Sequence, residues 1–405
     1  MRRSQKSGLE GVRESLGAIM VALLLCGMPS TVLACPFCNA SQTITQSVQE
    51  ADVAFIAELS GSKPIVSEQP GGPDGQTSAR LLKVLKPHPA LEGKSDILLP
   101  RYIPAAEQQK VNYLVYATVT DGAIDPYRAS PVESKEMVDY LAAAVDQPRR
   151  KPAERVEFFF GYLDSPETTI ANDAYAEFAS APYKDVKAAA GSFDPERIVG
   201  WLENSRTEPY RFGLYGLLLG VCGRPKDADL IRAILEDPKR RPISGVDGLL
   251  GGLCVLNLKD GVDYVINVLN DSKNDFNYRY AALRAAKFLV SDLPEVDKGK
   301  LFERMVPALK IADISDLVMD EFRRQKQWMA TDTILKLFTD PAYDVQVVKR
   351  AIVRYALQCP EESAEKFIAD LRAKDAQYVK DVEEILRFEE IQQIRVKDPA
   401  SKAAP

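Results

Sequence analysis

Apolar positions follow one rhythm ahead of residue 147 and another behind it. In the first part they come in short β-prone runs. Ala51–Leu59 (ADVAFIAEL), Ala79–Leu85 (ARLLKVL), Asp96–Leu99 and Tyr113–Val119 (YLVYATV) predict strands. They are punctuated by Gly61, by a polar loop over Gln69–Gly75 and by Asp121-Gly122, a hairpin signal. Ser134 is placed to cap a closing helix over Lys135–Val145, with Met137, Leu141, Ala144 and Val145 on one face. Short strands followed by one helix suit a small Greek-key barrel of the OB type over residues 35–146.

Residues 147–153 (QPRRKPA) read as a charged, proline-bounded linker. From residue 154 to 390 the rhythm is helical, with Pro or acidic residues at the starts: Ser165-Pro166-Glu167, Asp194-Pro195-Glu196, Arg224-Pro225 and Cys359-Pro360-Glu361. First-helix starts fall near Pro209, Gly245, Asn277, Ser315 and Asp344. Second-helix starts fall near Pro225, Lys259, Asp297, Gln327 and Pro360. Two helices per unit at a spacing of roughly 30–40 residues predict an α-solenoid. The stretch from Phe158 to Tyr183 reads as a helical lead-in, and 391–405 as a disordered tail.

The first 34 residues read as an export signal. Arg2, Arg3 and Lys6 precede a short apolar run over Leu16–Met28, and Val32-Leu33-Ala34 offers a cleavage site before Cys35. The run is too short to span a bilayer comfortably. The expected mature protein is therefore exported, to the periplasm or cell envelope. Its 52 basic and 58 acidic residues are interspersed, which argues against non-specific nucleic-acid binding.

The chemistry on offer is sparse. The chain has one histidine, His88, in a proline-bounded turn, so a histidine-based triad or metal site would have to be built on it. Cys35-Pro36-Phe37-Cys38 admits a redox dithiol, a disulfide staple, a lipidation site at Cys35 or a metal-chelating N-terminus. As a redox motif it lacks the preceding strand, which would lie in the signal. Cys222 and Cys254 are 32 residues apart, close to one repeat, and read as buried apolar residues or as a bridge between repeats. Aromatic and basic residues cluster at Tyr210-Arg211, Tyr278-Arg279 and Arg323-Arg324 with Trp328, and these seven are the candidate partner-binding residues. No phosphate loop, dinucleotide fingerprint or zinc-protease motif is present. No cofactor is expected.

The first part of the chain resembles the netrin-like domain, the fold of tissue inhibitors of metalloproteinases. The shared features are a mature cysteine pair (Cys35, Cys38), an ADVVF-like strand at Ala51–Ile56, a strand running into a turn at Lys83–Gly93, and Tyr113–Ala117. The family pairs its N-terminal cysteines with later cysteines of the domain, and none follow Cys38 here. That resemblance implies a protease inhibitor acting through its N-terminus. The second part resembles degenerate HEAT repeats in Pro209–Val221, Phe276–Val290 and Tyr343–Leu357. The whole resembles secreted planctomycete-type proteins that begin CPFC and end in helical repeats. The expectation is a multidomain, non-enzymatic scaffold: a small β barrel, then a HEAT-like solenoid that binds a protein partner. The membrane enters only if Cys35 is lipidated. A thiol–disulfide oxidoreductase and a metalloprotease-inhibitor-like binder are the alternatives.

Overall fold

The computed structural model describes residues 37, 42–65, 74–104 and 111–397, with side chains through residue 391. The expected signal segment, Cys35, Cys38, most of the Gln69–Gly75 loop and residues 398–405 lie outside the described residues.

Among the described residues a short helix that the sequence reading missed comes first. α1 (Ile44–Glu50) starts at a capping box: Thr43 Oγ1 accepts from Gln46 N–H at 3.1 Å, and Gln46 Oε1 accepts from Thr43 N–H at 3.1 Å. Among the described residues five strands follow: β1 (Val53–Pro64), β2 (Gly75–Lys86), β3 (Asp96–Leu99), β4 (Asn112–Thr120) and β5 (Ala123–Val132). They form one antiparallel sheet in the order β3-β2-β1-β4-β5. Asp121 (φ 53°) and Gly122 (φ 80°) make the β4–β5 turn with two left-handed residues, the type I′ geometry that matches strand twist.

The closed barrel does not form. Among the described residues no ladder joins β3 to β5. β3 has only four residues, and Pro126 and Pro131 deprive β5 of donors. Side chains cross the gap instead: Arg101 donates from Nε and Nη2 to the two Asp125 oxygens, each at 2.6 Å.

β1 and β4 are buried on both faces, which is why they read as apolar runs rather than alternations. Val53, Phe55 and Ala57 point into a small core with Leu99 and Val115. Ala54, Ile56, Leu114 and Tyr116 point the other way, into the core of the helical region. α2 (Lys135–Ala144), capped by Ser134 Oγ accepting from Met137 N–H at 3.0 Å, lies in that second core. The expected linker is partly structured. Gln147–Arg149 form a 3-10 turn with Gln147 buried, and α3 (Pro152–Phe160) starts inside the linker.

Among the described residues fourteen helices follow α3. They are α4 (Thr168–Ser180), α5 (Tyr183–Ala188), α6 (Pro195–Glu203), α7 (Arg211–Cys222), α8 (Ala228–Glu236), α9 (Val246–Leu256) and α10 (Leu258–Asn270). Next come α11 (Phe276–Asp292), α12 (Lys298–Met305), α13 (Ser315–Arg324), α14 (Thr331–Leu337), α15 (Gln346–Gln358), α16 (Glu362–Lys374) and α17 (Ala376–Lys397). α17 corrects the expected tail: residues 391–397 continue the helix, because no Pro or Gly interrupts the chain before Pro399. α7 and α9 are buried nearly all round, whereas α8, α10 and α12 bury one face each. The helices thus alternate between an inner and an outer position.

α7 and α9 run side by side in the same direction through a seam of small residues. Gly213, Gly216 and Gly220 on one strand of the seam face Gly245, Gly248 and Gly252 on the other, with identical spacing. A Cβ on Gly248 would lie 2.2 Å from the Gly213 carbonyl oxygen, so side-chain-free backbone is what permits this approach. Cys222 and Cys254 occupy matching ends of the two helices. Both are free thiols, so the bridge between repeats that their spacing suggested is not made.

Candidate functional site

The N-terminal ends of α7, α9 and α11 meet α4 at a cleft. One cavity there, of about 500 Å³, is lined by Phe37, Asn172, Tyr175, Tyr210, Asp247 and Arg284. A second, of about 430 Å³, adjoins it and reaches Arg241, Ile243, Tyr278 and Tyr280; Ser244, Gly245, Asp247 and Arg284 line both. Gly245, at φ 80°, turns the chain into α9 and lets the loop before it press on α7.

Asp247 lies at the floor, buried, and pairs with Arg284 Nε at 2.8 Å. Burial pushes its carboxyl above the usual range, while Arg284 and the Gly248 N–H, 3.0 Å from Oδ1, pull it back. The rim is aromatic and aliphatic. Ile243 is 92% exposed. Phe276 and Tyr280 are also exposed and stack with ring centroids 5.8 Å apart. Tyr210 is exposed as well, edge-on to Tyr175 at 5.1 Å.

Cys35 and Cys38 lie outside the described residues, but Phe37 between them does not. Its ring is buried against Gly251, where a Cβ would come within 2.7 Å of it, and meets Phe288 edge-on at 5.0 Å. Phe37 is thereby docked on α9 and α11, far from its own place in the chain.

The seven aromatic and basic candidates separate by environment. Tyr210 stands at the cleft rim, its OH donating to Asn172 Oδ1 at 3.0 Å. Arg211 is buried and donates to Leu163 O at 3.0 Å and Asn172 Oδ1 at 2.7 Å, tying α7 to the α3–α4 layer. Tyr278 is buried, its OH 3.0 Å from that of Tyr264, with Arg241 4.1 Å over its ring. Arg279 is buried and holds Asn274 O and Asp313. Arg323 is buried in a network with Asp320, Gln358 and Glu389 at 2.7, 3.1 and 2.8 Å. Arg324 is exposed and pairs with Asp320 at 2.7 Å. Trp328 is half-buried against Tyr355 at 5.0 Å. The structure gathers Tyr210 and Tyr278 at the cleft and puts Arg323, Arg324 and Trp328 near the far end of the helices.

Sequence reasoning passed over a buried polar joint between the two parts of the chain. Asp173 Oδ1 accepts from Ile44 N–H at 2.7 Å, and Oδ2 accepts from the Tyr140 hydroxyl at 2.6 Å. Glu177, one turn on, is held by Thr45 and Arg155. The Thr43-x-x-Gln46 box was the available signal for this contact, since it predicts α1. His88 caps the Pro89–Leu91 turn, Nδ1 accepting from Ala90 N–H at 3.1 Å. Among the described residues no helix is long and apolar enough to cross a membrane, and no group of three His, Cys, Asp or Glu side chains is placed to hold a metal ion.

No protein-family model, curated protein or solved structure matches the chain.

Proposed function

We propose that the chain is an exported, non-enzymatic scaffold that binds a partner protein through the cleft at α7, α9 and α11. The observation that carries this reading is the gathering of Ile243, Tyr280 and Tyr210, all exposed, around two adjoining cavities, with exposed Phe276 stacked on Tyr280. Monomeric proteins rarely leave large side chains grouped about a concave surface unless something covers them. The inner-and-outer alternation of helices supports reading residues 154–390 as a degenerate HEAT-like solenoid, whose stacked units offer such faces. The sheet order supports an OB or netrin-like ancestry, because joining β3 to β5 would complete a five-stranded barrel.

The buried seat of Phe37 weighs against the inhibitor alternative, which needs a free N-terminal wedge. Burial weighs against chemistry at two other thiols: Cys222 is pushed up to about 12 and Cys254 is fully buried. Export and the state of Cys35 are part of the proposal and are read from the mass of the mature N-terminal peptide.

The test is site-specific photo-crosslinking in the native host, with the crosslinker at Ile243 or Tyr280 and at exposed Glu236 on α8 as the control. A discrete adduct is expected from the cleft positions and not from Glu236, and Ile243→Asp should remove the adduct formed from Tyr280. Equal labelling from both faces, or none from the cleft, would defeat the reading.

A further inference from the structure

A third cavity lies away from the cleft, where α3, α4 and α5 meet the Gln147–Arg149 turn. Its volume is about 410 Å³, within the range of small-molecule sites. Its walls are apolar: Val156, Phe159 and Phe178 are buried core residues, and Pro148, Pro152 and Pro182 complete the lining. Prolines at three of the wall positions make the shape rigid, since each fixes its own φ.

The charged groups are placed unevenly. Glu177 reaches the floor with its side chain 1% exposed, and its carboxylate is consumed by Arg155 and Thr45. At the mouth, Arg150 and Lys184 are exposed, and among the described residues neither has an ion-pair partner. Asp185 is the one carboxylate left beside them. The cavity therefore combines largely apolar walls and a charge-neutral Glu177–Arg155 floor with a mouth carrying one net positive charge.

We propose that this cavity binds a small amphipathic carboxylate, with its apolar body against Phe159 and Phe178 and its head between Arg150 and Lys184. The chemistry requires both halves. An apolar molecule without a head gains nothing from the two cations, and a bare anion gains nothing from the aromatic walls. The site is separate from the cleft at α7, α9 and α11, so its fate and that of the scaffold reading are decided independently.

The probe is octanoate, titrated calorimetrically into the full mature chain, with octanol as the uncharged control and a leucine-ended peptide carboxylate as a third ligand. One saturable octanoate site is expected, with octanol at least tenfold weaker. Arg150→Gln with Lys184→Gln should weaken octanoate at least tenfold, and Asp185→Asn should tighten it. All three changes are at the mouth, and retained thermal unfolding checks that the variants fold. Absence of saturable binding, equal affinity for octanoate and octanol, an unchanged double variant, or preference for the peptide would overturn the proposal.

Discussion

Gly252 rests against the backbone of Gly216: a Cβ on Gly252 would stand 2.0 Å from the Gly216 carbonyl oxygen. No side-chain motion relieves such a contact, because both sides are main chain. The contact recurs along the α7–α9 seam and sets how closely the two helices lie.

Gly252→Ala should therefore destabilise the protein by about 3 kcal/mol, near the upper end of overpacking penalties. Gly200, in α6, has nothing within 4 Å of its would-be Cβ. Gly200→Ala should stabilise, by up to about 1 kcal/mol, through helix propensity alone. Urea unfolding of the two variants checks the contrast, and equal effects would show that the seam is not close-packed.

Phe37→Ala should destabilise by about 3 kcal/mol, the lower end for a buried Phe. Gly251→Ala should act through the same contact by displacing the ring. A double-mutant cycle is the measurement: the two changes together should cost little more than Phe37→Ala alone. Full additivity would mean that Phe37 does not use the Gly251 seat.

Asp173 links stability to pH. Burial raises its carboxyl from 3.8 to about 6, against the opposing hydrogen bonds from Tyr140 and Ile44. A carboxyl raised in the folded state favours folding while it is protonated. Its contribution is complete below about pH 4 and is lost as pH rises through about 6, a change on the order of 3 kcal/mol. Asp173→Asn should flatten the stability profile between pH 4 and 6. The same slope in variant and parent would assign the effect to another group.

Arg279 and Arg324 look alike in the sequence and differ in consequence. Arg279→Ala strands Asn274 O and half-exposed Asp313 and should cost about 2–3 kcal/mol. Arg324→Ala takes a half-exposed arginine from Asp320, which keeps Arg323 at 2.7 Å, and should change stability by less than about 1 kcal/mol. Thermal melts at matched salt distinguish them.

The same pair shows where the sequence stopped being informative. Helix starts were legible because caps and prolines act locally: α7 begins at Arg211 beside Pro209, α9 at Val246 beside Gly245, and α16 at Glu362 beside Pro360. The β4–β5 turn was legible for the same reason, Asp121-Gly122 being fixed by its own backbone. The destination of an arginine is a tertiary matter. Arg211 and Arg279 each follow a tyrosine at a helix start, and both turn inward to fasten neighbouring loops. Tyr210 and Tyr280 remain at the surface. Taken singly, the glycines of α7 and α9 match no motif. Their meaning lies in the matching intervals of Gly213, Gly216 and Gly220 with Gly245, Gly248 and Gly252. Ile243 carried no signal, because a lone aliphatic in a polar loop is recognisable only by its exposure.

The seat of Phe37 also decides how the molecule would carry load. A pull on the chain ahead of residue 37 is received first by α9 and α11, in the middle of the helical stack, and only afterwards by the sheet. Until that ring is drawn out, tension bypasses the Arg101–Asp125 gap between β3 and β5, leaving the open side of the sheet mechanically sheltered.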